Sequence, residues 1–157
     1  EFLVQTLKKE ALKGDLLDLG CGYGYLSLLL AQQPGVSRLI ATDNNIAAVE
    51  ACRKNLRFLS ESLPISVTLD DCGSEIQENS MDYIVCNPPI HQGFSTSTDL
   101  TRKFVRAVRR ILKRKGAAYF VVNRFIGIEK ICEEEQIKFT EIATNRQFKI
   151  LMLERLR

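Results

Sequence analysis

The chain has 157 residues, 45% of them hydrophobic and 26% charged, with a net charge of +3. That length suits one domain around a single core, and no apolar run approaches the roughly 18 residues that cross a bilayer. One histidine, His91, leaves no histidine-held metal site and no Ser-His-Asp arrangement to expect. Five cysteines without a C-x-x-C pair read as reduced thiols of a cytoplasmic protein.

In chain order, the sequence opens inside a helix. Phe2, Leu3, Leu7 and Ala11 share one helical face with no capping residue ahead, so residues 1–157 read as a single domain that lacks a natural N-terminal extension. A first strand, Asp15 to Leu19, runs into Gly20-Cys21-Gly22-Tyr23-Gly24, then a helix through Leu26, Leu29 and Leu30 stops before Pro34-Gly35. Strand, glycine turn and helix in that order are the context of a nucleotide-binding turn, where glycine lets the backbone approach a ligand closely. Tyr25 stands where the dinucleotide pattern G-x-G-x-x-G needs a third small residue, which disfavours a dehydrogenase.

A second strand, Arg38 to Thr42, ends at Asp43-Asn44. A carboxylate there can accept both hydrogen bonds of a ribose diol, and Asp18, near the end of the first strand, can face a cationic amino-acid moiety. A helix from Ile46 to Leu59 precedes the strand Ile65 to Leu69. Asp70 or Asp71 then stands where it can contact an adenine amine; the turn at Cys72-Gly73 favours Asp71. For all these acids the alternative is a strand ending or a helix cap.

The fourth strand, Tyr83 to Cys86, ends at Asn87-Pro88-Pro89-Ile90, because proline cannot donate to a ladder. An exocyclic aryl amine is a poor nucleophile, since its lone pair is delocalised into the ring. Gripping both N–H groups rehybridises the nitrogen; Asn87 can accept one through its side-chain oxygen and the Pro88 carbonyl the other. The prolines fix both acceptors in advance, which is electrostatic preorganisation. An ordinary Asn-Pro turn is the alternative.

A basic helix is expected from Asp99 to Lys115, closed by Gly116 as a C-cap. Leu100, Phe104, Val105, Val108, Ile111 and Leu112 share its apolar face, while Arg102, Lys103, Arg106, Arg109, Arg110 and Lys113 lie elsewhere. Either solvent or phosphate meets those cations, and the lack of any acid from Arg102 to Lys115 tips the reading toward RNA. The strand Ala117 to Val122, a helix from Ile128 to Glu135 and the strands Phe139 to Ala143 and Phe148 to Leu153 complete the chain. The last two are too close for a crossover helix and so are antiparallel. The sum is an α/β fold: a mostly parallel seven-stranded sheet with an antiparallel last strand and helices on both faces.

Over nearly its whole length the sequence resembles the S-adenosylmethionine-dependent methyltransferases, with a Rossmann-like fold, and among them the ribosomal RNA guanine-N2 methyltransferases. Leu17 to Gly24, Asp43-Asn44, Val85 to Pro89, His91-Gln92, Val122-Asn123-Arg124 and Ile142 to Asn145 with Phe148-Lys149 carry the resemblance. It implies Asn87 in catalysis with the Pro88 carbonyl. It also implies S-adenosylmethionine held by Asp18, the turn Gly20, Cys21, Gly22, Tyr23 and Gly24, with Asp43, Asn44, Asp71 and Asn87. The substrate side falls to Pro89, Ile90, His91, Phe94 and Arg124, with RNA as partner. The family usually carries an aromatic where this chain has Ile90, so base stacking passes to Tyr23 or Phe94, or is weaker. Methylation of a protein glutamine or a DNA adenine, and a non-catalytic RNA-binding module with a relict cofactor pocket, are the alternatives.

Overall fold

The structure is a computed structural model that describes residues 2–89 and 95–156. Seven strands form one sheet: β1 (Lys13–Leu19), β2 (Gly35–Asp43), β3 (Ile65–Leu69), β4 (Met81–Cys86), β5 (Leu112–Asn123), β6 (Ile137–Thr144) and β7 (Phe148–Arg155), in the order β3-β2-β1-β4-β5-β7-β6. β7 runs antiparallel to both β5 and β6, and the other paired strands are parallel. This is the expected mostly parallel sheet with its last strand reversed.

Alternation along the strands divides the core in two. Leu17, Leu19, Ile84, Cys86, Phe120 and Val122 face α4 (Ser95–Ile111) and α5 (Ile128–Glu134). Leu16, Leu39, Val85, Tyr119, Val121 and Ile150 face α1 (Phe2–Leu7) and α2 (Tyr25–Leu30), while α3 (Ile46–Leu56) sets Cys52 and Leu56 against Ala41. Central strands covered on both sides read as continuous apolar runs, which is why β1, β4 and β5 were legible.

Several expected boundaries move, among them the end of α3, at Leu56 and not Leu59, and the start of β2, at Gly35 and not Arg38. The first helix ends at Leu7, four residues before Ala11, which sits in the left-handed region at φ 46°. The basic helix ends at Ile111, and Gly116 is not its cap. Its last carbonyls, those of Arg110 and Ile111, accept from the backbone N–H groups of Asn79 and Ser80 at 3.0 and 2.9 Å. The chain passes directly into β5, whose register against β4 jumps from Leu112 to Ala117. Gly116 lies within that irregularity, pressed on β4: a Cβ there would stand 2.5 Å from the Asp82 carbonyl oxygen. Close backbone approach, not helix termination, requires this glycine.

The strand order reverses between β1 and β4. At such a switch point the crossover segments leave in opposite directions and open a crevice beyond the carboxyl ends of the strands. The glycine turn and Asn87-Pro88-Pro89 both fall there.

Candidate active site

A cavity of about 410 Å³ occupies that crevice. The turn after β1 supplies Gly20, Cys21, Gly22 and Tyr23, β2 supplies Thr42, Asp43 and Asn44, and Asp70 and Cys72 come from the turn after β3. Asn87 and Pro89 close it from β4, with Leu100 and Phe104 of α4. The glycines shape its floor: Gly20 (φ 82°), Gly22 (φ 54°) and Gly24 (φ 90°) are left-handed. A Cβ at Gly22 would meet no atom within 4 Å, so this position is open toward the cavity, whereas one at Gly24 would strike Cys52 Sγ at 2.7 Å.

Asp43 braces the floor. One carboxylate oxygen accepts from Gly22 N and the other from Asn45 N, each at 2.9 Å. Each oxygen keeps a second lone pair for a ligand, so the bracing role and a ribose contact are compatible. Asn45 caps α3 by accepting from Ala47 N and Ala48 N.

Other sequence candidates are placed differently. Asp18 is fully buried behind the turn and does not line the cavity. Its Oδ2 accepts from Ser27 Oγ of α2 at 2.6 Å, and Oδ1 has no partner among the described residues. Burial raises its carboxyl from the ordinary 3.8 to about 6. Asp71 is turned to solvent on Lys103, which holds its carboxyl below the ordinary range. The cavity wall is made by Asp70 and Cys72 on either side of it. Asp70 is largely committed to the turn it precedes: Oδ1 accepts from Ser74 Oγ and Glu75 N, while Oδ2 is buried without a partner among the described residues. A hydrogen bond with Cys52, together with burial, pushes the Cys21 thiol upward, so it lines the cavity as a neutral group.

Pro88 is buried and is not among the residues lining this cavity, Arg124 is exposed on the neighbouring rim, and Ile90, His91 and Phe94 lie outside the described residues. Sequence reasoning missed a second cavity of about 560 Å³, walled by Tyr25, Leu26, Val121, Gln147 and Phe148 with Phe2, Leu3 and Gln5 of α1. Asn87, Tyr25 and Leu26 belong to both cavities. The signal was present in the alternation: Val85, Asn87 and Val121 fall on the same face of adjacent strands.

Most cations of the basic stretch have partners in the fold. Arg102 pairs with Glu134 and Glu135 at 2.6 and 2.9 Å, and Arg106 with Glu135 at 2.9 Å. Lys103 holds Asp71, Lys113 holds Asp82 at 2.8 Å, and Arg110 donates to the carbonyls of Gly73 and Ile76. The acids absent from the run itself arrive from the end of α5, from β4 and from the turn after β3, so these cations are paired although Lys103 and Arg106 stay exposed.

A glycine-floored crevice at the switch point, an acid after β2 and Asn-Pro-Pro after β4 define the Rossmann-like methyltransferase class. The sequence profile described as "Methyltransferase small domain" matches residues 1–152, and the chain belongs to that family. It is 29% identical over 155 residues to ribosomal RNA large subunit methyltransferase G of Vibrio parahaemolyticus, covering 96% of this chain and 40% of that protein. It is 35% identical over 150 residues to ribosomal RNA small subunit methyltransferase C of Salmonella choleraesuis, covering 96% and 43%. Among solved structures, a 16S rRNA N2 methyltransferase of T. thermophilus in complex with AdoMet and guanosine superposes with a TM-score of 0.78 at 28% identity, over 99% of this chain and 42% of that one. The chain thus spans about two fifths of the length of these relatives.

Proposed function

We propose that the chain transfers a methyl group from S-adenosylmethionine to the exocyclic N2 amine of a guanine in ribosomal RNA, in a cytoplasmic setting. One observation carries this reading: Asn87 stands in the wall of both cavities, so one side chain faces the space suited to a cofactor and the space suited to a target base. The residues fit such a cofactor. The first cavity lies within the roughly 300–1,000 Å³ of small-molecule sites, and the open position at Gly22 leaves room for close approach to the backbone. Asp43 would take the ribose hydroxyls, the glycine turn the amino-acid portion, and Asn44, Asp70 and the Asp71-Cys72 segment the sugar and base edge.

S-adenosylmethionine supplies an electrophilic methyl group on a sulfonium. The chain's own part is to orient and to accept hydrogen bonds. Asn87 Oδ1 accepts one amine N–H and the Pro88 carbonyl the other, which localises the lone pair on nitrogen. The acceptors are aimed before the amine arrives, so they stabilise positive charge as it develops there. Similarity to proteins named as ribosomal RNA methyltransferases supports RNA as the acceptor.

Incubating the chain with methyl-labelled cofactor and total RNA, protein or DNA tests the reading. Label recovered as N2-methylguanosine is the expected result. Label in glutamine or adenine would replace guanine as the target. Cofactor binding with no transfer to any acceptor would leave a relict pocket.

A further inference from the structure

We propose that a single-stranded RNA segment crosses the molecule on the rim formed by the loop after β5 and the β6–β7 turn, stacking on Phe125 and Phe148 with its phosphates against Arg124 and Arg146. The proposal rests on the RNA reading above. It starts from where cationic charge is left available. Arg124 and Arg146 are exposed and form no ion pair among the described residues, whereas Arg102, Lys103 and Arg106 of α4 each hold a carboxylate. Neither segment carries an acid, from Asn123 to Ile128 or from Ile142 to Leu153. Lys149, in the second segment, is buried and paired with Glu129 of α5, so the positive potential over this rim comes from Arg124 and Arg146.

Aromatic rings lie beside those arginines. Phe125 is 73% exposed and Phe148 39% exposed. An exposed ring is a stacking platform when cations flank it, because every base offers a π face. Phe148 also walls the 560 Å³ cavity that contains Asn87, so a base stacked on it would lie in the space next to the acceptor. This supplies the ring that Ile90 does not. Phe125 would then hold a neighbouring nucleotide.

The rim is rigid before RNA arrives. Arg124 N donates to Gln147 O at 2.8 Å, tying the loop to the turn. Asn145 Oδ1 accepts from Gln147 N and Phe148 N at 2.8 and 2.7 Å, and Asn123 Oδ1 accepts from Phe125 N at 3.1 Å. Little ordering entropy remains to oppose binding.

The test is fluorescence anisotropy of the 157-residue chain with a labelled single-stranded RNA dodecamer carrying one guanine among uridines, across a salt series. Removing two phosphate contacts in Arg124→Gln/Arg146→Gln should lower the slope of log affinity on log salt by about 1.4. Phe125→Leu, at an exposed position that leaves the fold intact, should weaken binding about tenfold. Phe148→Leu should raise the RNA Kd at least fivefold while cofactor affinity holds, and Phe148→Tyr should restore it. An unchanged salt slope, unchanged affinity in Phe125→Leu, or no RNA binding by the unaltered chain overturns the proposal. These anisotropy measurements need no methyl transfer, so an inactive chain that binds RNA through the rim would cost the functional reading and leave this one standing.

Discussion

Helix α4 and the rim beyond β5 and β7 differ in what their polar groups already do. α4 is the most cationic stretch of the chain, yet Arg102, Lys103, Arg106 and Arg110 close onto Glu134, Glu135, Asp71 and the carbonyls of the turn after β3. The rim has fewer charges; Lys149 is paired with Glu129, Arg124 and Arg146 form no ion pair among the described residues, and two rings are exposed. Local charge density therefore misleads as a guide to a polyanion partner; what matters is the charge left after the fold has satisfied itself. The same division applies to single atoms. Buried acceptors without partners among the described residues, Asp18 Oδ1 and Asp70 Oδ2, both lie at the carboxyl ends of strands and not under α4.

The largest effect should come from Asn87, which sharpens the contrast by separating chemistry from binding. Asn87→Ala should reduce turnover by roughly 10² to 10³, as loss of one preorganised polar partner does. Cofactor affinity should stay within a few-fold, since the glycine turn and Asp43 remain. Single-turnover transfer of labelled methyl checks the first and calorimetry the second. A fully active alanine variant would make Asn87-Pro88-Pro89 a strand ending only.

Asp18 gives the next largest effect, with a sign set by pH. Its carboxyl titrates near 6 in the fold against 3.8 ordinarily, so the folded state favours the neutral form. That preference contributes stability in full below about pH 4 and is lost as the pH rises through about 6. Asp18→Asn keeps an acceptor for Ser27 and removes the buried charge. It should stabilise the cofactor-free chain by roughly 3 kcal/mol at pH 8, with the gain vanishing near pH 4. Urea unfolding at both values measures it, and a variant less stable at pH 8 would show that the charged Asp18 has a stabilising partner in the fold.

These residues also show what was legible in the sequence. The glycine turn, Asp43 and Asn87-Pro88-Pro89 were readable because strand, turn and helix signals are local, and the sheet order then gathers them. The end of α4 was not: nothing near Gly116 says that Asn79 and Ser80 will take the helix's last carbonyls. Asp70 and Asp71 are neighbours with the same chemistry; Ser74 and Glu75 hold the first in the turn, and Lys103, 32 residues away, holds the second at the surface. The second cavity joins Tyr25 to Phe148, a contact of topology that no motif encodes. Charge on α4 misled for the same reason, since its partners come from α5.

The smallest expected effect is the one that can break the comparison outright. Arg106 is 64% exposed on its side chain and meets Glu135 at 2.9 Å, while Arg102 holds the other oxygen of that carboxylate. Arg106→Ala should therefore cost less than about 1 kcal/mol, because an exposed partner in water adds little and Arg102 keeps Glu135 from being left alone. Hydrogen bonding to Arg106 and then to Arg102 holds the Glu135 carboxyl below its ordinary range. A lowered value means stability present at neutral pH and lost as the pH falls through it, so the small difference between variant and unaltered chain should disappear in acid. For RNA the prediction is no change: the same affinity and the same salt slope, because an arginine engaged with Glu135 gains nothing by exchanging that carboxylate for a phosphate. If Arg106→Ala instead lowers the slope by about 0.7, one phosphate leaves with it. The cationic face of α4 would then meet RNA despite its partners, Glu135 would be a support that orients the arginines toward the strand, and the rim would be only one side of a wider track.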